Sequence, residues 1–144
     1  MYDYNHLLEK AIKIAVEAHE GQKDRYGQPF ILHVLRVTFS GKDRKEQICG
    51  ALHDVVEDSE WTTEDLLNEG FPPDIVEVVR LMTIEKGDDY QQKIDELESN
   101  DLAVRVKLND LQDNMDLRRY NLLDEDDRQR VNKYLKAWKQ LKKT

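Results

Sequence analysis

The chain has 144 residues, 36% of them charged, and a formal net charge of -8 at pH 7. That length suits one domain, residues 1–144, able to bury roughly 70% of the surface its unfolded form exposes, and the negative balance repels nucleic acid polymers and acidic membranes as partners. The single Cys49 rules out an intramolecular disulfide, no stretch approaches a membrane span, and the first ten residues lack the basic region and apolar core of a signal peptide, so a cytoplasmic protein is expected. Apolar residues at helical spacing predict a first helix from about residue 4, stopped by Gly21, followed by a loop over 21–28. A short helix opened by Pro29 should hold His33 and end near Gly41. Asp43 should cap a third helix running through ICGALHDVV. Thr62 and Asp65 form a variant of the capping box, with Trp61 able to pack on Leu66, and Gly70 ends that helix. Pro72 and Pro73 open the next one. Residues 84–90, IEKGDDY, are the longest polar interruption and read as a lip, whose Lys86 and Tyr90 either line a cleft or, the favoured reading, are exposed loop residues. A weakly amphipathic helix to Ser99, an Asp101-capped helix carrying Asp110 and a last helix from about 125 complete the chain. No strand alternation is present, so the fold class is a single all-α bundle.

The residues that carry chemistry cluster in HDVVED, His53 to Asp58, at the end of an apolar helical run. Charge beside a core needs compensation, and a divalent metal supplies it. At helical spacing His53 stacks on Glu57 and Asp54 on Asp58, which suggests one adjacent pair that grips an ion and a second, a turn on, that handles a proton. Two further segments offer ligands: His33 within PFILHVLRV and Asp110 within LAVRVKLNDLQDNM, with Asn114 a turn later. Two imidazoles and two carboxylates make a mixed nitrogen and oxygen set suited to Mn, Fe, Co, Ni or Zn. Taken alone, His33 also fits a satisfied core histidine, Asp110 a helix partner for Lys107 or Arg105, and Glu57 and Asp58 ordinary surface acids. His19 reads as a helix-end residue and His6 as solvated surface.

The order His, His-Asp, Asp resembles that of the HD metal-dependent phosphohydrolases, and within them the hydrolase domain of the alarmone (ppGpp) enzymes and its small stand-alone relatives. AHEGQKDRYGQPFILH at 18–33, ALHDVVEDSEWTTEDL at 51–66 and VKLNDLQDNMDL at 106–117 carry the resemblance. It implies metal ligation by His33, His53, Asp54 and Asp110, with Mn as the foremost ion, a catalytic acidic pair in Glu57 and Asp58, and a substrate contact from Asn114. Lys23 and Arg25 stand between phosphate contact and plain loop charge. The implied reaction is attack of a metal-activated water on a small anionic nucleotide, releasing the 3′-pyrophosphate of a (p)ppGpp-like alarmone; synthesis is not expected. The chain departs from the resembled pattern at Asp24, where Arg is usual, and in the third segment, where Asp-Arg-Leu-His-Asn-Met-Arg-Thr is replaced by residues ending in Asp113, Asn114, Met115, Asp116 and Leu117. These charge changes are expected to weaken a polyphosphate site. They leave two alternatives open: a phosphoesterase for another small ester such as a nucleoside monophosphate, and a weakly active nucleotide-binding regulatory module.

Overall fold

Short polar side chains and glycines set the helix boundaries in the computed structural model, which describes residues 1–143. Helix α1, Tyr4–Ala18, starts where Asp3 accepts from the His6 amide and buries Leu7, Ala11, Ile14 and Ala15 on one face. The following loop turns at Gly21, whose φ of 79° lies in the left-handed region that a side chain disfavours. Helix α2, Phe30–Phe39, buries His33, Val34, Val37 and Thr38. Helix α3, Arg44–Leu52, is capped by Asp43 and is buried from Ile48 to Leu52. The Thr62–Asp65 capping box forms at the start of α5, Thr63–Asn68, and Pro73 is the first residue of α6, Pro73–Met82. Helix α7 spans Tyr90–Leu97, α8 Asp101–Asn114 and α9 Glu125–Lys142. Among the described residues no strand occurs; the isolated bridge between Lys23 and Pro29 closes the loop before α2.

Helix α3 is the axis around which the bundle packs, touching α1, α2, α6 and α8. Its crossing with α2 is close because residue 50 has no side chain: a Cβ on Gly50 would stand 3.1 Å from the Thr38 Cα and the Val37 carbonyl oxygen. Ile48 and Leu52 are fully buried in a core shared with Leu66, Phe71, Ile75, Ile94, Leu97, Leu111 and Leu141. Each such side chain contributes roughly 1.5–3 kcal/mol of transfer free energy, largely offset by lost chain entropy. Glu46 is also buried and is satisfied by Arg105 Nε at 3.0 Å and Asn109 Nδ2 at 2.8 Å, a polar tie between α3 and α8.

Two sequence expectations are corrected here. The N-cap of α8 is Asn100, whose Oδ1 accepts from the Ala103 amide at 3.0 Å; Asp101 is the first helical residue, where its charge still faces the positive end of the helix dipole. The helix through HDVVED is not continuous. It ends at Leu52, Asp54 takes φ -108° and ψ 0°, and a separate turn, α4, spans Val55–Asp58. His53 and Asp54 therefore meet the acids that follow through a break, not along one helical face.

Candidate metal centre and its cleft

The break after α3 solves a geometric problem. Neighbouring residues on a helix point about 100° apart, whereas here His53 Nε2 and Asp54 Oδ2 lie 2.9 Å from each other. Helix α8 brings Asp110, whose Oδ1 is 3.3 Å from His53 Nε2 and 3.1 Å from His33 Nε2. His33, from α2, has Nε2 3.7 Å from Asp54 Oδ2. One donor atom from each of His33, His53, Asp54 and Asp110 lies within 4.8 Å of all the others, so the cluster could hold a metal ion.

The hydrogen bonds show why a cation fits. His53 Nδ1 donates to the Gly50 carbonyl at 2.6 Å, and His33 Nδ1 donates to Asp113 Oδ2 at 2.6 Å. With each ring proton directed away, both Nε2 atoms turn lone pairs toward carboxylate oxygens, and the buried His53 Nε2 has no hydrogen-bond partner. Acceptors facing acceptors at such distances require a positive charge between them. Without an ion a proton fills that role: burial opposes the charged imidazole, but Asp54 and Asp110 outweigh it and hold the His53 pKa well above its usual value, while Asp110 and Asp113 raise His33. Burial would raise Asp110, yet Lys107 and the two histidines lower it strongly. Lys107 Nζ is 3.0 Å from Asp110 Oδ2 in a pair less than a tenth exposed.

The cluster lies in a cavity of about 540 Å³, a volume within the range of small-molecule sites. All nine residues singled out from sequence border it: the four above, Glu57, Asp58, Lys23, Arg25 and Asn114. Glu57 and Asp58 occupy its rim beside Asp54. Glu57 Oε1 accepts from the Ile84 amide at 2.7 Å, so the expected lip does border the site. Crowding by protein, then Asp54 and Glu57, pushes the Asp58 pKa up to about 7; a cation beside Asp54 acts in the opposite direction. Glu57 is raised too, by burial first, against the opposing Ile84 amide. Asn114 is already engaged, its Nδ2 donating to Asp110 Oδ1 at 3.1 Å and its Oδ1 accepting from Arg119 at 3.3 Å.

Several cavity residues escaped the sequence reading or were placed elsewhere by it. Tyr90, expected as exposed loop, turns inward with its hydroxyl buried and without a hydrogen-bond partner, under the Lys133 ammonium at 4.5 Å. Lys86 does remain exposed. Arg119, Arg130 and Tyr134 complete the basic and aromatic wall. The spacing of Asp127, Arg130 and Tyr134 on α9 was the available signal, but such a stripe looks like any solvated helix face. The departures also read differently in three dimensions. Asp24 Oδ1 accepts from the Tyr26 and Gln28 amides, both at 2.9 Å, and its Oδ2 lies 3.3 Å from Arg119. Its charge builds the loop and is matched there. Asp116 caps the 3-10 turn Leu117–Arg119 and pairs with Arg118, and neither Asp116 nor Leu117 borders the cavity. The expected erosion of the polyphosphate site at those two positions is therefore not direct.

The chain is thus a helical bundle whose His/Asp cluster, in an ionic cleft, could hold a metal ion, and comparison narrows what it is similar to. The fold matches that of a solved structure of a metazoan orthologue of SpoT that hydrolyses ppGpp and plays a role in starvation responses, with a TM-score of 0.75, 24% identity and coverage of 98% of this chain and 87% of that one. In sequence the chain is 28% identical over 120 residues, 75% of its length, to a guanosine-3′,5′-bis(diphosphate) 3′-pyrophosphohydrolase of Aquifex aeolicus. It is 43% identical over 63 residues, 41% of its length, to a GTP pyrophosphokinase of Streptomyces coelicolor. These matches cover 17% and 7% of the two relatives, and no family model matches. By sequence and by fold the chain is thus similar to the HD-type alarmone hydrolases.

Proposed function

We propose that the protein is a metal-dependent phosphohydrolase that releases pyrophosphate from the 3′ position of a (p)ppGpp-like nucleotide. The observation that carries this is the cluster of facing acceptors, His33, His53, Asp54 and Asp110, at the floor of a cleft with acids on its rim and basic side chains on its wall. The relatives named for 3′-pyrophosphohydrolase activity support the choice of substrate. Manganese is the proposed ion, since two imidazoles and two carboxylates suit a borderline to hard dication. When bound, it supplies Lewis acidity, polarising a phosphoryl oxygen and acidifying water.

The chain's own groups divide the remaining work. Glu57 has one carboxylate oxygen held by the Ile84 amide, which leaves the other to accept the proton of the attacking water. Asp58 stands beside it as the orienting partner and proton relay to the departing ribose oxygen, so attack at phosphorus breaks the P–O3′ bond and leaves a 3′ hydroxyl. Lys23, whose ammonium has no ion-pair partner among the described residues, and Arg25, 3.6 Å from Asp127, hold the phosphates by charge. Asn114 contacts the substrate through the second lone pair of its amide oxygen. These residues lie in one domain, and the reducing cytoplasm is its proposed setting, where the buried free thiol of Cys49 stays reduced. Among the described residues no helix is long and apolar enough to cross a membrane.

The test is product release by manganese-loaded protein from ppGpp and from nucleoside monophosphates, beside Asp54→Ala. Pyrophosphate from ppGpp that is absent with the variant supports the proposal. Orthophosphate from monophosphates alone replaces it with another esterase, and tight metal binding without turnover replaces it with a nucleotide sensor.

A further inference from the structure

His33 is gripped from both sides by one helix. Asp110 and Asp113 lie one turn apart on α8 and meet the two nitrogens of the same imidazole, Asp110 Oδ1 at 3.1 Å from Nε2 and Asp113 Oδ2 at 2.6 Å from Nδ1. Asp113 is held in turn. Arg36, one turn beyond His33 on α2, donates from Nε to Oδ1 at 2.7 Å and from Nη2 to Oδ2 at 3.2 Å. Arg119 donates from Nη1 to Oδ2 at 2.9 Å and to the Asp113 carbonyl at 3.0 Å. The carboxylate is only 10% exposed, so little water competes for these bonds.

We propose that Asp113 is a positioning residue of the metal centre: its carboxylate fixes the His33 ring with its proton on Nδ1 and its Nε2 lone pair turned into the cluster. This rests on the metal reading given above. The contrast with His53 sharpens it. His53 Nδ1 donates to a backbone carbonyl three residues earlier, a neutral acceptor that folding of α3 supplies in any case. His33 has no such backbone acceptor and depends on a side chain 80 residues away. A carboxylate in that place does more than orient, because its charge makes the imidazole a stronger electron-pair donor at Nε2. The two arginines serve Asp113 by setting both oxygens, so that the carboxylate cannot follow a turning ring without breaking bonds at Arg36 and Arg119. One helix thus supplies a candidate ligand oxygen and also aims the nitrogen opposite it.

The experiment is zinc affinity, by competition with a chromophoric chelator, for wild type, Asp113→Ala and Asp113→Asn, together with the His33 tautomer read from long-range nitrogen–proton correlations in zinc-loaded wild type. Asp113→Ala should bind zinc about 10- to 100-fold more weakly, the usual scale for losing such an acceptor. Asp113→Asn should recover part of that, since its amide oxygen still accepts from Nδ1. In zinc-loaded wild type His33 should carry its proton on Nδ1. Zinc binding by Asp113→Ala as tight as wild type overturns the proposal, and so does a zinc-loaded wild type whose His33 is protonated on Nε2 and free at Nδ1, a result that stands even where Asp113→Ala fails to fold. Wild type that takes up no zinc overturns the metal reading itself, an outcome distinct from a variant that binds as well as its parent.

Discussion

Lys107→Met separates the two ways in which the protein can neutralise Asp110. In the metal-free fold the Lys107 ammonium compensates the Asp110 carboxylate at 3.0 Å, with both side chains less than a tenth exposed. Methionine keeps most of the volume and removes the charge. Removing one partner of a buried pair typically costs about 3–5 kcal/mol. Asp110 keeps Asn114 Nδ2 at 3.1 Å and the two histidine nitrogens on its other oxygen, which favours the lower end, about 3 kcal/mol. An unfolding entropy of about 2.1 cal/mol/K per residue makes roughly 0.3 kcal/mol/K for this chain, so the metal-free Tm should fall by about 10 °C. A dication at the cluster neutralises Asp110 in place of the ammonium and is no longer repelled by it. The loss of Tm in excess manganese should therefore shrink to about half, and by linkage the variant should bind the ion about tenfold more tightly. Thermal melts of both proteins with and without manganese, and a binding isotherm for each, measure this. Equal Tm losses with and without the ion, or unchanged affinity, would refute the claim that Lys107 and a cation compete for one negative site.

Asp54→Ala should abolish metal binding and turnover, whereas Glu57→Ala should keep the ion and lose rate by about 10² to 10⁴, the usual scale of general acid–base catalysis; metal content measured beside kcat distinguishes them, and equal metal loss in both contradicts the division of roles. Glu46→Ala should destabilise the protein by about 2 kcal/mol in urea titrations, since it strands Asn109 while Arg105 can turn to solvent, and should leave metal affinity unchanged. Asp113 is held down to about 2 from 3.8, burial being outweighed by His33 and Arg36. Its folded value lies below the unfolded one, so its contribution is present above about pH 4 and is lost as pH falls toward 2. The stability gap between metal-free wild type and Asp113→Asn, about 2 kcal/mol at neutral pH, should close across that window, and a gap independent of pH would contradict the origin assigned to it.

Much of this was legible because helix signals are local. Asp43 and the Thr62–Asp65 box act within four residues of themselves, and the structure uses each as the sequence suggests. Asp101 misled because Asn100, one residue earlier, caps equally well and the two differ only in backbone conformation. The break at Asp54 was hidden for a different reason. Nothing in HDVVED opposes helix locally, and the interruption reflects what must converge from α2 and α8. The site residues emerged from motif order, yet their hydrogen bonds did not: Asp24 looked like lost positive charge and Asp113 had no role of its own, and only the approach of Arg119 to both shows each as a paired anion. Arg130 and Tyr134 stayed invisible, and Tyr90 was assigned to exposed loop, since a cavity wall is defined by its opposite side.

The cross-grip between α2 and α8 also bears on how the molecule folds. Helices α2 and α3 are neighbours in sequence and pack together early at little cost in loop closure, but Arg36 and His33 reach Asp113 across 77 and 80 residues. Contacts of such separation tend to form late, after the rate-limiting barrier has been crossed. A cation bridging these segments grips only what has already folded. It therefore lengthens the lifetime of the native state and leaves the time needed to reach that state nearly unchanged.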